Sequence, residues 1–387
     1  MIVFGYLKQF IESSILYNVP SHKIINYLYL RFKYKIGIND YFKNKLYTSC
    51  KEKEIYFKHL HTYIHSWKNV VKSFAYNWSK VNLFLAWWDY QITKLYCPGL
   101  DAMDYFRYEF HKLSPIARRE FITEGGLMKM VEHFNGSKKA KLTADIFKNK
   151  SCFNTLFSEY IGRKWFVNEK SGIDDFCAKV LELNDIICKP LTGGGGKGII
   201  MRNITTRHDA ERLFNDIKNE PYIVEEVIHQ HDSLAQICPA SINTIRVYSI
   251  IANNQPIIIG AALRIGNGID CTDNYSSGGF VAEIDAKTGL VISRAVSQDG
   301  LSVYVHPKTN VPIIGTIIPQ WTEVQNIVKA AHLKVPEIGY IGWDVVVCKS
   351  GKVIFLEGNT NAGVELQQHA PLKGKKRIYD YYIKMGK

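Results

Sequence analysis

One stretch constrains the fold of this chain more than any other. Residues 342–359 read Gly-Trp-Asp-Val-Val-Val-Cys-Lys-Ser-Gly-Lys-Val-Ile-Phe-Leu-Glu-Gly-Asn, two β-branched runs either side of Ser350-Gly351. Such a pattern predicts an antiparallel hairpin. With Ser350-Gly351 as a two-residue turn, Lys349 faces Lys352, and Asp344 falls directly opposite Glu357 on one face. Asn359, two residues beyond Glu357, points the same way if the strand continues. Two carboxylates and an amide oxygen on one face of an otherwise apolar hairpin repel each other unless a cation sits between them. Oxygen-only ligands suit Mg2+ or Mn2+, which can then bridge ATP phosphates. The plainer reading, two unpaired acids reaching water, fits poorly with the apolar runs at 345–347 and 354–356.

A second stretch bears on phosphate. After Asp185-Ile-Ile-Cys-Lys-Pro190 and Leu191-Thr192 come Gly193, Gly194, Gly195, Gly196, Lys197 and Gly198. Unobstructed backbone N–H groups beside a cation suit a polyphosphate. The glycines formally spell G-x-G-x-x-G, but Ile-Ile-Met-Arg-Asn follows, a strand rather than a helix start, so a dinucleotide fingerprint fails on context. A Walker A loop fails too, because Lys197 precedes Gly198 rather than Ser or Thr. What remains is a loop between two strands, closing over phosphates, with strand-borne Lys189 beneath it; a mere glycine-rich hairpin is the alternative.

Third, Tyr222-Ile-Val-Glu-Glu-Val-Ile228 is an apolar strand ending in Glu225-Glu226, followed by Asp232. That pattern suggests an interdomain hinge whose backbone could meet an adenine edge, with a later acid for ribose hydroxyls; alone, a solvated strand end would look the same.

Composition sets the frame for these motifs. At 387 residues, 46% apolar and 22% charged, the chain is long enough for two to three domains with a substantial core. The most apolar run, residues 81–88, is too short to cross a bilayer. The N-terminus, Met1-Ile2-Val3-Phe4, lacks a basic n-region or cleavage site and reads as mature and cytosolic, with room for association at the inner face of a membrane. Eight cysteines without a C-x-x-C pair argue against a disulfide framework and against structural zinc. Residues 1–150 hold 24 Lys and Arg against 12 Asp and Glu, while 151–387 hold 25 against 24. The basic field therefore belongs to the first part and attracts anions, unless it is only a solvated lysine-rich surface. Apolar spacing of three and four (Ile24, Ile25, Leu28; Phe57, Leu60, Ile64, Trp67) predicts helices there, as does the amphipathic segment 101–113. From about Cys152 the texture changes to short strands at 186–188, 245–252, 257–263, 345–348 and 353–356.

The order of these features resembles the ATP-grasp superfamily: strand lysine, glycine-rich loop, Glu-Glu hinge, a later acid, then Asp…Glu-x-Asn. Within it, Ser241-Ile-Asn-Thr-Ile-Arg-Val-Tyr248, Asn274-Tyr-Ser-Ser-Gly-Gly279, Asp285-Ala-Lys-Thr-Gly289 and Gly358-Asn-Thr-Asn-Ala-Gly363 look most like the sugar-transfer-associated ATP-grasp family of bacterial polysaccharide genes. The resemblance runs from about Phe147 to Tyr382. It implies an α+β ATP-grasp fold, two subdomains gripping ATP (151–226 and 227–387), preceded by a mainly helical basic region (1–150).

It also implies roles. Lys189, Lys197 and the loop glycines Gly194, Gly195, Gly196 and Gly198 would hold ATP phosphates. Glu225, Glu226 and Val227 would meet adenine, and Asp232 the ribose. Asp344, Glu357 and Asn359 would hold Mg2+ or Mn2+. Several ligases of the superfamily carry an arginine two residues before the first metal carboxylate; here that position is Gly342, so Arg246 or Arg264 would supply the catalytic positive charge with Lys197. The implied activity is an ATP-dependent carboxylate–amine ligase. Its substrates would be an acidic saccharide or nucleotide-sugar carboxylate and an amine. Rival readings are a nucleotide-binding scaffold without ligase activity and, less favoured, a nucleic-acid-associated ATP-dependent enzyme.

Overall fold

The computed structural model describes residues 83–385 except Ser171, Gly195, Lys197, Asp270 and Cys271. The helical spacing noted at 24–67 lies outside the described residues, as do Gly195 and Lys197. The chain divides into two compact units, residues 1–119 with 123–125, and residues 120–122 with 126–387. Among the described residues no helix is long and apolar enough to cross a membrane.

The first unit contains α1 (Leu83–Tyr96), α2 (Ala102–Arg107) and α3 (Pro115–Arg118). Its polar heart is an ion pair between Arg118 and Asp89 at 2.8 Å, which Tyr105 Oη and Thr93 Oγ1 join. The amphipathic segment 101–113 is not one helix. Asp101 caps α2 through the Asp104 N–H, but Glu109 adopts a left-handed conformation (φ 48°). That residue ends the turn, and a short 3-10 turn, Phe110–Lys112, follows.

The second unit takes in α4 (Glu124–Asn135) from Gly126 onward, then α5 (Lys138–Lys148), α6 (Lys150–Leu156) and α7 (Ser158–Ile161). Next come β1 (Trp165–Val167), α8 (Ile173–Leu183), β2 (Asp185–Pro190), β3 (Ile200–Asn203), α9 (Arg207–Ile217) and β4 (Tyr222–Glu226). These four strands form one sheet, ordered β1-β4-β2-β3 and antiparallel throughout. Phe176, Cys177 and Val180 of α8 and Ala210, Leu213 and Ile217 of α9 cover Ile186, Cys188 and Val224. Both helices start as their sequences dictate: Asp174 and Asp175 stand at the positive end of α8, and Thr206 and Asp209 form a capping box on α9.

A larger sheet follows, built from β5 (Ile245–Ala252), β6 (Gln255–Ile265), β7 (Phe280–Ile284), β8 (Ala295–Ser297), β9 (Ser302–Val303), β10 (Tyr340–Val347) and β11 (Val353–Asn359). Between β4 and β5 lies one helical turn, α10 (Asp232–Ala235); α11 (Trp321–Leu333) precedes β10, and α12 (Glu365–Gln368) and α13 (Lys376–Met385) close the chain. The order is β11-β10-β5-β6-β7-β8-β9, again antiparallel at every pairing. On one face Val247, Trp343, Val345 and Phe355 share a core with Val324, Ile327 and Val328 of α11 and with Phe153 and Phe157. On the other, Tyr248, Ile250 and Tyr340 pack with Met130, Val131 and Tyr379. Asn135, the last residue of α4, fastens that face by donating to the Tyr340 and Thr360 carbonyls at 2.8 and 2.7 Å and accepting from the Tyr340 N–H.

Candidate active site

Asp344 does lie opposite Glu357, but not through the turn expected. The loop of the β10–β11 hairpin has three residues, 349–351, closed where the Cys348 N–H donates to the Lys352 carbonyl; Gly351 takes the left-handed conformation (φ 83°) that such a loop needs. Lys349 therefore does not face Lys352: its N–H donates to the His229 carbonyl instead. From this closure Val345 pairs with Phe355, and a bulge then shifts the register, so that Asp344 pairs with Glu357 and Leu356 is the extra residue. The bulge has a packing cause. Strict alternation would put Phe355 and Glu357 on one face. With one residue inserted, Phe355 stacks on Trp343 in the core, centroids 5.0 Å apart, while Glu357 turns to the side of Asp344.

The register continues across β5, where Arg246 is the direct partner of Asp344. Glu357, Asp344 and Arg246 thus form a row over three neighbouring strands. Arg246 engages Asp344 through Nε and Nη2, and Arg264 Nη1 on β6 adds a third contact at 3.0 Å. Arg264 also donates to Asp273 at 3.0 Å, whose other oxygen accepts from the Thr244 N–H. Both arginines, the candidates for the charge that Gly342 lacks, sit at the carboxylate row. At Gly342 itself a Cβ would lie 2.4 Å from Ala362 Cβ, so no larger side chain fits there without movement.

These contacts split the two acids. Burial opposes charge on Asp344, but Arg246 and Arg264 hold its carboxyl below the usual range. Burial and then the Asp344 charge push Glu357 above its usual value, and Asn359 Nδ2 reaches its Oε1 at 3.3 Å. A divalent cation suits this set. Three lone pairs of Asp344 are taken and about one remains free. Glu357 is a half-buried acid, and Asn359 would supply an amide oxygen. Among the described residues no group of three or more His, Cys, Asp and Glu could hold a metal; the donors expected from the sequence are two carboxylates and one amide, Asp344, Glu357 and Asn359.

Lys189 lies on β2 and points toward Glu225 of β4, Nζ to Oε2 2.6 Å. Glu225 is buried rather than a solvated strand end; burial opposes its charge, but Arg163 and Lys189 drive its carboxyl far below the usual range. Its neighbour Glu226 is exposed, and the Glu226 and Val227 N–H groups already donate to the carbonyls of Lys164 and Asp185. Contacts to an adenine edge from this hinge would therefore have to come from carbonyls or from residues beyond Val227. Asp232 begins α10 and is exposed, 3.6 Å from Lys349. Of the loop, Gly193, Gly196 and Gly198 take positive φ, and a Cβ on Gly198 would meet Pro190 at 2.8 Å. Gly194 has open space around it, and Gly196 lies beside Thr272.

One residue at this site escaped the sequence reading. Lys150, the first residue of α6, donates from Nζ to the Pro190 and Gly193 carbonyls at 2.9 and 3.0 Å. Asn149 positions it by capping α6, accepting from the Ser151 and Cys152 N–H groups. Burial lowers the Lys150 ammonium below its usual range, and it feels the charges of Glu357, Lys189 and Glu225. It is thus the cation common to the glycine loop, the strand lysine and the carboxylate row. No local pattern marks it among the many lysines of the basic stretch; only the capping Asn149 just before it was available as a hint.

A lysine-bearing sheet and a glycine loop, joined by an acidic strand end to an antiparallel sheet with paired carboxylates, define the ATP-grasp class. Residues 132–377 match the sugar-transfer associated ATP-grasp family, and the chain belongs to that family. Among curated proteins none matches it. Solved structures similar to it include the D-alanine-D-alanine ligase from Coxiella burnetii (12% identity, 64% of this chain and 58% of that one, TM-score 0.37). Another is the ATP-grasp ligase PsnB complexed with minimal precursor, Mg and ADP (16% identity, 73% and 69%, TM-score 0.39). The chain spans less than two thirds of the Coxiella ligase, and these likenesses are distant; the family assignment rests on the sequence match.

Proposed function

We propose that this protein is an ATP-dependent carboxylate–amine ligase acting through an acylphosphate. The observation that carries this is Lys150, held on the glycine loop and electrostatically linked to both Lys189 and Glu357. This supports reading the cations for a triphosphate and the carboxylates for a metal as parts of one site. In the reaction, a carboxylate oxygen of the substrate attacks the γ-phosphorus, the bond to the β–γ bridging oxygen breaks, and ADP leaves. An amine nitrogen then attacks the acyl carbon, the bond to the phosphate oxygen breaks, and phosphate departs as nitrogen loses a proton. The carboxylate and the triphosphate that must meet are both anionic, so catalysis is positioning and charge neutralisation.

Lys150, Lys189 and, from the sequence, Lys197 would screen the phosphates under Gly194, Gly195, Gly196 and Gly198. By the resemblance, Glu226, Val227 and Asp232 would hold the nucleoside. Arg246 and Arg264 would orient the substrate carboxylate while keeping Asp344 ionised. Mg2+ or Mn2+ on Asp344, Glu357 and Asn359 would neutralise phosphate charge. The substrates we propose are a sugar-derived acid and an amino compound in bacterial polysaccharide assembly; of this, the family description supports only the association with sugar transfer. The basic first 150 residues would recruit the acidic partner.

The engagement of both Asp344 oxygens by arginines favours one second reading, a nucleotide-binding scaffold without turnover. ADP release, measured across uronic acids paired with amines in the presence of Mg2+, separates the two. Acceptor-dependent ADP supports the ligase; nucleotide binding without it for any pair supports the scaffold.

A further inference from the structure

Arg163 was not singled out by any sequence pattern, yet it touches both sheets. It follows Gly162, whose left-handed conformation (φ 60°) lets the chain run against β11; a Cβ there would lie 2.5 Å from Ile354 Cγ2. From this point Arg163 Nη1 donates to the Phe355 carbonyl of β11 at 2.7 Å, and Nη2 donates to Glu225 Oε1 of β4 at 2.6 Å. Asn154 Nδ2 reaches the same oxygen at 3.0 Å, while Lys189 holds the other. The Arg163 and Glu225 side chains are each 2% exposed, against 16% for Lys189.

That difference in burial assigns different tasks to the two cations. A carboxylate as buried as Glu225 must keep a counter-ion, because an isolated charge in such a place costs several kcal/mol. Were Lys189 its sole partner, the lysine would be retained there. Arg163 is locked at both ends and cannot leave. Lys189 is partly exposed and carries three donors, so it can turn toward an anion while Glu225 remains neutralised.

We propose that Arg163 is a positioning residue, the fixed counter-ion of Glu225 that frees Lys189 for a nucleotide phosphate and ties the lysine-bearing sheet to the strand carrying Glu357. This rests on the nucleotide reading of Lys189. The test is a mutant cycle read by calorimetric affinity for a non-hydrolysable ATP analogue, with thermal midpoints recorded for each variant. Lys189→Ala should weaken binding about tenfold, and Arg163→Met should do the same. Adding Lys189→Ala to Arg163→Met should cost less than about threefold more, because the lysine is already withheld. Arg163→Met with Glu225→Gln should return to within about threefold of the parent, since removing the carboxylate releases the lysine. Arg163→Lys, which keeps a cation, should bind better than Arg163→Met.

A purely structural role predicts that the Arg163 and Lys189 effects multiply and that Glu225→Gln rescues nothing. Either result, or an unchanged affinity in Arg163→Met, overturns the proposal while leaving the nucleotide site standing. If Arg163→Met does not fold, the neutral double variant carries the test, and weak binding by it overturns the proposal. Unchanged affinity in Lys189→Ala overturns the nucleotide reading, and the proposal with it.

Discussion

At the scale of single residues, the two acids of the carboxylate row are not equivalent, although the sequence presents them as a symmetric pair. Asp344 is the hub of two arginines, and Glu357 is the acid whose charge burial and Asp344 oppose. Both Asp344→Asn and Glu357→Gln should abolish Mg2+-dependent ADP formation. Without metal they should diverge. Glu357→Gln removes a like charge and should leave the thermal midpoint unchanged or raised. Asp344→Asn leaves Arg246 without its carboxylate, Arg264 keeping only Asp273, and should destabilise by about 3 kcal/mol. Equal midpoints in the two variants would show that Asp344 is not the arginines' essential partner. The pairing was legible because alternation counts faces along a strand. The arginines' engagement was not, since Arg246 is 98 residues from Asp344 in sequence and nothing local marks their meeting. Lys150 and Arg163 were illegible for the same reason: their defining partners lie on distant elements.

At the scale of elements, runs of β-branched residues told most of what they could. Residues 245–252 were read as a strand, and β5 spans Ile245–Ala252. The glycine-rich loop does join two strands, β2 and β3. What alternation cannot reveal is an irregularity. The hairpin reading omitted one residue from the turn and overlooked the bulge at Leu356, and the two omissions cancel at Asp344. The segment 101–113 failed differently, because helical spacing continues through Glu109 although its backbone does not. Helix α6 offers a test of how an element aims a side chain. Asn149→Ala removes its cap, worth about 1 kcal/mol, and should reduce stability by that amount. Because Lys150 is the next residue, nucleotide affinity should fall as well. A stability loss with affinity untouched would detach Lys150 from the site.

At the scale of the whole molecule, charge and proton balance give two further expectations. His332 is buried and neutral: its Nε2–H donates to the Ile338 carbonyl, and Nδ1 accepts from Ser249, which in turn accepts from Trp343 Nε1. Burial pushes its imidazole down to about 4. The contribution is complete above the ordinary value near 6.5 and is lost as pH falls through about 4, a change of about 3 kcal/mol. Chemical denaturation between those pH values should show a steeper loss in the parent than in His332→Gln; parallel slopes would mean the histidine already titrates normally. The basic first 150 residues make the second expectation. Raising salt from about 0.05 to 0.3 M should increase the acceptor KM more than the ATP KM, because exposed charges are screened over about 8–10 Å or less. Equal sensitivity would leave that surface a solubilising one.

The offset in the β10–β11 hairpin also bears on how the chain finds its fold. During closure the two strands can zip from a two-residue turn or from the three-residue turn, and either route brings Asp344 opposite Glu357. Only the second lays Phe355 on Trp343. The carboxylates are therefore blind to a one-residue slip, and the aromatic stack must arbitrate. A hairpin that closes the wrong way must unzip β11 before its core can set, an error that the site itself cannot detect. Exchanging the two residues, Phe355→Leu with Leu356→Phe, would reverse the preference and favour the slipped pairing while the acids still meet.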